Sequence, residues 1–252
     1  MSHMAYLAAV VILGGVFGFL GGLFGVGGGI VAIPVLGVGF GMSEQAAQGT
    51  ALVMVVPNVL VGLWRYYRLG GMDPRLAISL AAGAVPLTFI GAHYATHLPS
   101  GPLRIAFVVF ILAIAAYMAW RTFGGARMAP HARPWPWPYA IVVGMIGGAL
   151  SGLFSVGGAT FAVPAMTLGF GLSQVAAQGM ALALVAPGTV VGVVIYALAK
   201  DIDWPVGIAL ALGGVFGVSY GVGLAHRLPD RTLRGLFIAF LLASAVALGL
   251  KV

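Results

Sequence analysis

Cysteine is absent from this 252-residue chain, and charge is nearly so: only 7% of the residues are Asp, Glu, Lys or Arg. The first absence excludes disulfides, thiolate metal sites and a cysteine nucleophile. The second excludes a soluble fold, because a soluble domain carries about 25% charged residues on its surface. Acidic residues are the scarcer sign, five against twelve basic ones, for a net charge of +7. In a chain that is 61% hydrophobic with a mean hydropathy of +1.09, that surplus reads as cationic loops facing the cytoplasm and not as a nucleic-acid surface. No Gly-Lys-Ser/Thr sequence occurs, so the chain lacks a Walker A nucleotide site. A charged n-region followed by a short apolar stretch and a cleavage site is also missing, so no removable signal peptide is expected. No cofactor is implied. What remains is a multi-pass, all-α integral membrane protein.

The few charges punctuate the chain. None precedes Glu44, and none falls between Arg75 and Arg104, Arg133 and Lys200, or Asp203 and Arg227. A spanning helix needs about 20 mainly apolar residues. Spans are therefore predicted over 44–65, 76–97, 102–121, 174–198, 205–225 and 233–250. Two apolar segments, 5–41 and 138–171, are too long for one helix and short for two spans with a loop. Each is interrupted by small residues and then a proline: Gly25-Val26-Gly27-Gly28-Gly29 before Pro34, and Ser155-Val156-Gly157-Gly158-Ala159 before Pro164. These predict broken or re-entrant helices. The runs do not alternate as a membrane barrel requires. Glycines four residues apart, at 14, 18 and 22, at 144, 148 and 152, and at 213, 217 and 221, predict close helix crossings.

The chain also repeats itself at a constant offset of 130 residues. Gly22-Leu23-Phe24 returns as Gly152-Leu153-Phe154, Ala46-Ala47-Gln48-Gly49 as Ala176-Ala177-Gln178-Gly179, Tyr66 as Tyr196 and Asp73 as Asp203. This divides the sequence into a first transmembrane repeat, 5–121, a cytoplasmic connector, 122–138, and a second repeat, 139–252. Interrupted segments at matching positions of two halves point to a transporter's binding site. If each interrupted segment crosses once, the repeats are parallel, and basic residues divide eight against four between the two sides. If each turns back, the repeats are inverted. Arg65, Arg68, Arg75, Arg121, Arg127, Arg133, Arg227, Arg231 and Arg234 then share one side, against Arg104, Lys200 and Lys251. The excess of cytoplasmic Lys and Arg in membrane proteins favours inversion.

Gly25-Val26-Gly27-Gly28-Gly29 with Pro34, Ala47-Gln48-Gly49-Thr50-Ala51, Gly71-Met72-Asp73 and their copies resemble the TauE/SafE family of membrane permeases, also called the sulfite exporter family. Asp201-Ile202-Asp203-Trp204-Pro205 and Arg227-Leu228-Pro229-Asp230 are similar to later motifs of that family. The resemblance implies a secondary transporter of small anions, sulfur-containing oxyanions or organosulfonates such as sulfite or sulfoacetate. Two departures stand out. The family's Gly-Thr-Ser is Gly49-Thr50-Ala51 here and Gly179-Met180-Ala181 in the second repeat, and the second glycine run is reduced. The partners expected are a small anionic substrate, the lipid bilayer and a coupling ion, H+ or Na+; nucleic acid is not expected, and oligomeric state is left open.

An anion in low dielectric must be compensated, and no Arg or Lys lies deep in a predicted span. Broken helices offer an alternative, since a helix N-terminus presents free N–H groups and about half a positive charge. The candidate substrate-binding residues are therefore Gly27, Gly28, Gly29, Gln48, Thr50 and Asn58 in the first repeat, and Gly157, Gly158 and Gln178 in the second. The glutamines either donate to an oxyanion or bond a neighbouring helix. Asn58 either satisfies carbonyls freed by Pro57 or faces the pathway. Glu44 is a candidate coupling carboxylate. Ser43, Ser173, Asp73 and Asp203 read as helix caps. The competing readings are a passive anion channel and, more remotely, an intramembrane enzyme using Ser151 and His226. No catalytic residue and no metal ligand are assigned.

Overall fold

A computed structural model describes residues 3–95, 100–123, 135–154 and 157–249. The described residues form ten α-helices and no strand: α1 (His3–Phe24), α2 (Gly29–Gly39), α3 (Glu44–Leu69), α4 (Pro74–Ala95), α5 (Ser100–Phe123), α6 (Tyr139–Phe154), α7 (Gly157–Leu168), α8 (Gln174–Leu198), α9 (Trp204–Ala225) and α10 (Asp230–Gly249). Among them, seven are long and apolar enough to cross a membrane: α1, α3, α4, α5, α8, α9 and α10. The remaining three, α2, α6 and α7, are shorter apolar helices.

Local chemistry sets the helix ends. Ser43 Oγ accepts from Ala46 N at 3.2 Å to start α3, and Ser173 Oγ accepts from Ala176 N at 3.2 Å to start α8. Asp203 Oδ1 accepts from Val206 N at 3.2 Å at the start of α9, and Asp73 Oδ1 accepts from Arg75 N at 2.8 Å ahead of α4. Between α1 and α2 the backbone enters the left-handed region at Gly25, Gly27 and Gly28, with φ of +69°, +73° and +89°. Glycine adopts such angles without steric cost. The turn closes through Val26 N donating to Gly21 O at 3.1 Å. It folds so tightly that a Cβ on Gly21 would come 2.4 Å from Gly28 N.

The described helices form two compact units, each drawing on both sequence repeats. Unit one holds residues 1–70 and 186–227; unit two holds 71–185 and 228–252. The long helix α8 gives its first half to unit two and its second half to unit one.

In unit one, α1 packs along α9, which comes from the other repeat. A Cβ on Gly14 would lie 2.1 Å from Leu210 O, on Gly18 2.2 Å from Gly214 O, and on Gly22 2.4 Å from Val218 O. From the other side, Gly213 meets Val11 O, Gly217 meets Gly15 O and Gly221 meets Phe19 O. Both series rise together, so the two helices run in the same direction with their backbones in contact. At the ends of the interrupted segment, the ring of Tyr6 in α1 is 6.1 Å from that of Phe40, which follows α2.

Unit two repeats this arrangement with the contributions exchanged. Here α6 packs along α4, with Gly144 against Leu80 O, Gly148 against Ala84 O and Gly83 against Ile141 O. Trp135, just ahead of α6, donates its N–H to Gly169 O just beyond α7 at 3.1 Å. In both units, the residues entering an interrupted segment therefore lie beside those leaving it.

Candidate functional site

The first cluster of candidate residues lies in unit one at the start of α2. Gly28 is the residue ahead of that helix, and no side chain caps it. Its carbonyl accepts from Val31 N and Ala32 N at 3.3 and 3.2 Å. Gly27, Gly28 and Gly29 are all buried. A Cβ on Gly27 would meet Val59 and Val55 of α3 at 2.8 and 3.1 Å, and one on Gly28 would lie 2.5 Å from Phe17 O. The end of α1 is tied down by Tyr66 of α3, which is fully buried and donates its hydroxyl to Gly22 O at 2.8 Å. An N-terminal turn without a side-chain cap thus sits buried among apolar and glycine residues.

Asn58 belongs to the same unit and follows Pro57 inside α3. It is fully buried, and neither its Oδ1 nor its Nδ2 has a hydrogen-bond partner among the described residues. The carbonyls freed by Pro57 therefore do not hold it. Room for the amide comes from Gly214 of α9, where a Cβ would stand 2.5 Å from Asn58 Oδ1. An orphaned buried polar group costs about 1–3 kcal/mol, so this amide is a stored hydrogen-bonding capacity.

Gln48 and Thr50 are placed differently from the glycines. Gln48 Oε1 accepts the hydroxyl of Tyr196, the fellow of Tyr66 in the second repeat. Thr50 is fully buried, and its Oγ1 accepts from Asp203 N at 3.0 Å. Between them, a Cβ on Gly49 would lie 2.2 Å from Asp201 O. Three consecutive residues of α3 thus clamp the turn joining α8 to α9. Of the two roles open to Gln48 in the sequence, bonding a neighbouring helix is the one its carbonyl performs here. Glu44 opens α3, but its side chain lies outside the described residues.

In unit two, Gly157 opens α7 and Gln178 is fully buried in the first half of α8. A Cβ on Gly158 would come 2.4 Å from both Gly147 O and Ser151 Oγ, so the start of α7 is pressed against α6. Gln174 of α8, at the position that matches Glu44 in the 130-residue repetition, is not among the candidates drawn from sequence. It is fully buried, and neither side-chain amide atom has a partner among the described residues. Its backbone N–H is accepted by the Asp230 carboxylate at 3.2 and 3.3 Å, and Asp230 also pairs with Arg234 at 3.5 Å. Among the described residues, no group of three or more His, Cys, Asp or Glu could hold a metal ion.

Among the described residues, seven helices long and apolar enough to span a bilayer, buried orphan amides and one short helix whose buried start lacks a side-chain cap mark a multi-pass membrane protein. The chain matches the family described as Sulfite exporter TauE/SafE over residues 10–248, and it belongs to that family of membrane transporters. It is similar to the probable membrane transporter protein YunE of Bacillus subtilis (strain 168), with 24% identity over 76% of each chain. A probable membrane transporter protein of Xylella fastidiosa (strain 9a5c) is 28% identical, over 85% of this chain and 83% of that one. A further relative, from Methanocaldococcus jannaschii, is 24% identical over 92% of this chain and 91% of its own.

Proposed function

We propose that the protein is a secondary transporter of small anions in the cell inner membrane, carrying sulfur-containing oxyanions or organosulfonates such as sulfite or sulfoacetate. The observation that carries this reading is the buried, glycine-built N-terminal turn of α2, which no side chain caps among the described residues. Backbone N–H groups and the helix dipole at such an end favour an anion without a buried cation. Gly27, Gly28 and Gly29 would meet the oxyanion through backbone, and Asn58 would supply an amide donor. In unit two, Gly157, Gly158 and Gln178 would play the matching parts. Gln48 and Thr50 would act at the edge of the first site, positioned by the turn they clamp. Glu44 remains our candidate for coupling to H+ or Na+.

The reading includes inverted repeats with broken helices. Its support is that each interrupted segment brings its two ends together, Tyr6 by Phe40 and Trp135 by Gly169. Such a segment returns to its starting side and leaves each half with an odd number of crossings. Inverted repeats are one of the two arrangements on which alternating-access transporters are built.

The test is a thermal-shift screen of the purified protein with sulfite, sulfate, thiosulfate, sulfoacetate, taurine and small carboxylates. A ligand that binds only the folded state raises its apparent stability by about 2.7 kcal/mol at one hundred times its dissociation constant. Stabilisation by a sulfur oxyanion, diminished in Asn58→Leu, is the expected result. If no anion stabilises the protein and none enters or leaves proteoliposomes, the reading fails.

A further inference from the structure

Tyr66 does more than satisfy Gly22 O. Its buried hydroxyl fixes how α3 is rotated, and that rotation decides where its neighbours point. At about 100° per residue, Trp64 and Arg68 fall on the side of the helix opposite Tyr66, with Arg65 and Tyr67 on its flanks. The exposures agree: Trp64 is 58% and Tyr67 59% exposed, Arg68 is exposed and Arg65 half-buried. The guanidinium of Arg68 lies over the Trp64 ring, 5.5 Å from its centroid. Neither Arg65 nor Arg68 forms an ion pair with a carboxylate among the described residues.

The second repeat has nothing comparable. Trp64, Arg65, Tyr67 and Arg68 correspond to Val194, Ile195, Ala197 and Leu198, while Tyr66 keeps its tyrosine as Tyr196. The tyrosine is kept at the matching position of α8, whereas α8 has no counterpart of the four basic and aromatic residues around it.

We propose that the last two turns of α3 bind the headgroup of an anionic phospholipid. The cluster has the parts such a ligand needs. Two unneutralised guanidiniums, three residues apart and so on neighbouring positions of the helix surface, present planar N–H forks that match phosphate oxygens. The indole and phenol sit at the end of a membrane-length helix, where aromatic rings settle at the headgroup level. The position of the Arg68 guanidinium over the Trp64 ring, a cation–π placement, holds that charge at the level of the aromatic residues. A charge placed there only to oppose the helix dipole would need neither aromatic residue nor the second arginine.

The experiment is native mass spectrometry of the full chain released from micelles containing equal amounts of phosphatidylglycerol and phosphatidylcholine. The wild type is expected to retain phosphatidylglycerol preferentially. The double variant Arg65→Gln/Arg68→Gln should lose about five- to thirtyfold of that preference, while Lys200→Gln, an exposed cation at another helix end, should keep it. Equal melting temperatures of wild type and double variant in zwitterionic micelles would show that the loss is not unfolding. A wild type without preference, a double variant that keeps it, or displacement of the lipid by millimolar inorganic phosphate would each overturn the site.

Discussion

At the scale of single residues, the structure redistributes the polar groups that the sequence offers. Gln48 and Thr50 stand out in the sequence as amide and hydroxyl next to a broken segment. Their observed partners, Tyr196 and Asp203, lie 148 and 153 positions away. No local pattern reveals a bond of that span, so the clamp on the α8–α9 turn was illegible. Helix caps were legible, because Ser43, Ser173, Asp73 and Asp203 act within three residues of themselves. The Gln48–Tyr196 bond yields a direct prediction. Tyr196→Phe and Gln48→Leu should each destabilise the protein by about 0.5–1.5 kcal/mol. The double variant should cost much less than the sum, since both changes remove the same interaction. Unfolding of the four proteins in mixed micelles measures this; full additivity would mean that the two side chains act independently.

Among the elements, the glycines separate into two functions that sequence spacing alone cannot distinguish. Gly25, Gly27 and Gly28 have left-handed backbone and make a turn, whereas Gly14, Gly18, Gly213 and Gly217 lie inside helices and make room for a neighbour. The four-residue spacing correctly announced close crossings but not their partners. Repeats tell which segments are alike, and α1 pairs with α9 while α4 pairs with α6, so each pairing joins unlike members of different repeats. The contact geometry makes a graded prediction within one helix. In α9, a Cβ on Gly217 would lie 2.0 Å from Gly15 O, while one on Gly223 meets nothing within 4 Å. Gly217→Ala should therefore cost about 1–3 kcal/mol, as overpacking does. Gly223→Ala should be neutral or slightly stabilising, because alanine is the better helix former by up to about 1 kcal/mol. Comparing their melting temperatures checks the α1–α9 contact without reference to transport. The same geometry warns against reading Gly28→Leu or Gly158→Leu as probes of anion binding, since each added side chain would strike backbone.

For the whole molecule, the spans predicted from charge punctuation agree with the helices to within a few residues, from 44–65 against Glu44–Leu69 to 233–250 against Asp230–Gly249. Apolar length alone carries that information. The direction in which the chain leaves an interrupted segment is not written in hydropathy, and the uneven distribution of arginines gave only a preference for inversion. Because the chain has no cysteine, single cysteines can test it cleanly. Ala126→Cys in the connector and Asp201→Cys after α8 should react with an impermeant thiol reagent from opposite sides of the membrane. Reaction of both from one side would restore parallel repeats.

The exchange of helices between repeats bears on how the protein is made. A ribosome delivers α1 to the membrane long before α9, so the glycine face of α1 waits through the synthesis of the helices between them without its permanent neighbour. Neither compact unit is complete when the first repeat has emerged, because each needs helices encoded in the second. The internal repetition therefore did not leave two proteins joined by a linker. It left one in which an early half-product has no finished core, so premature termination at the connector would release a chain with bare helix seams, and such seams are where quality-control proteases and stray helices first take hold.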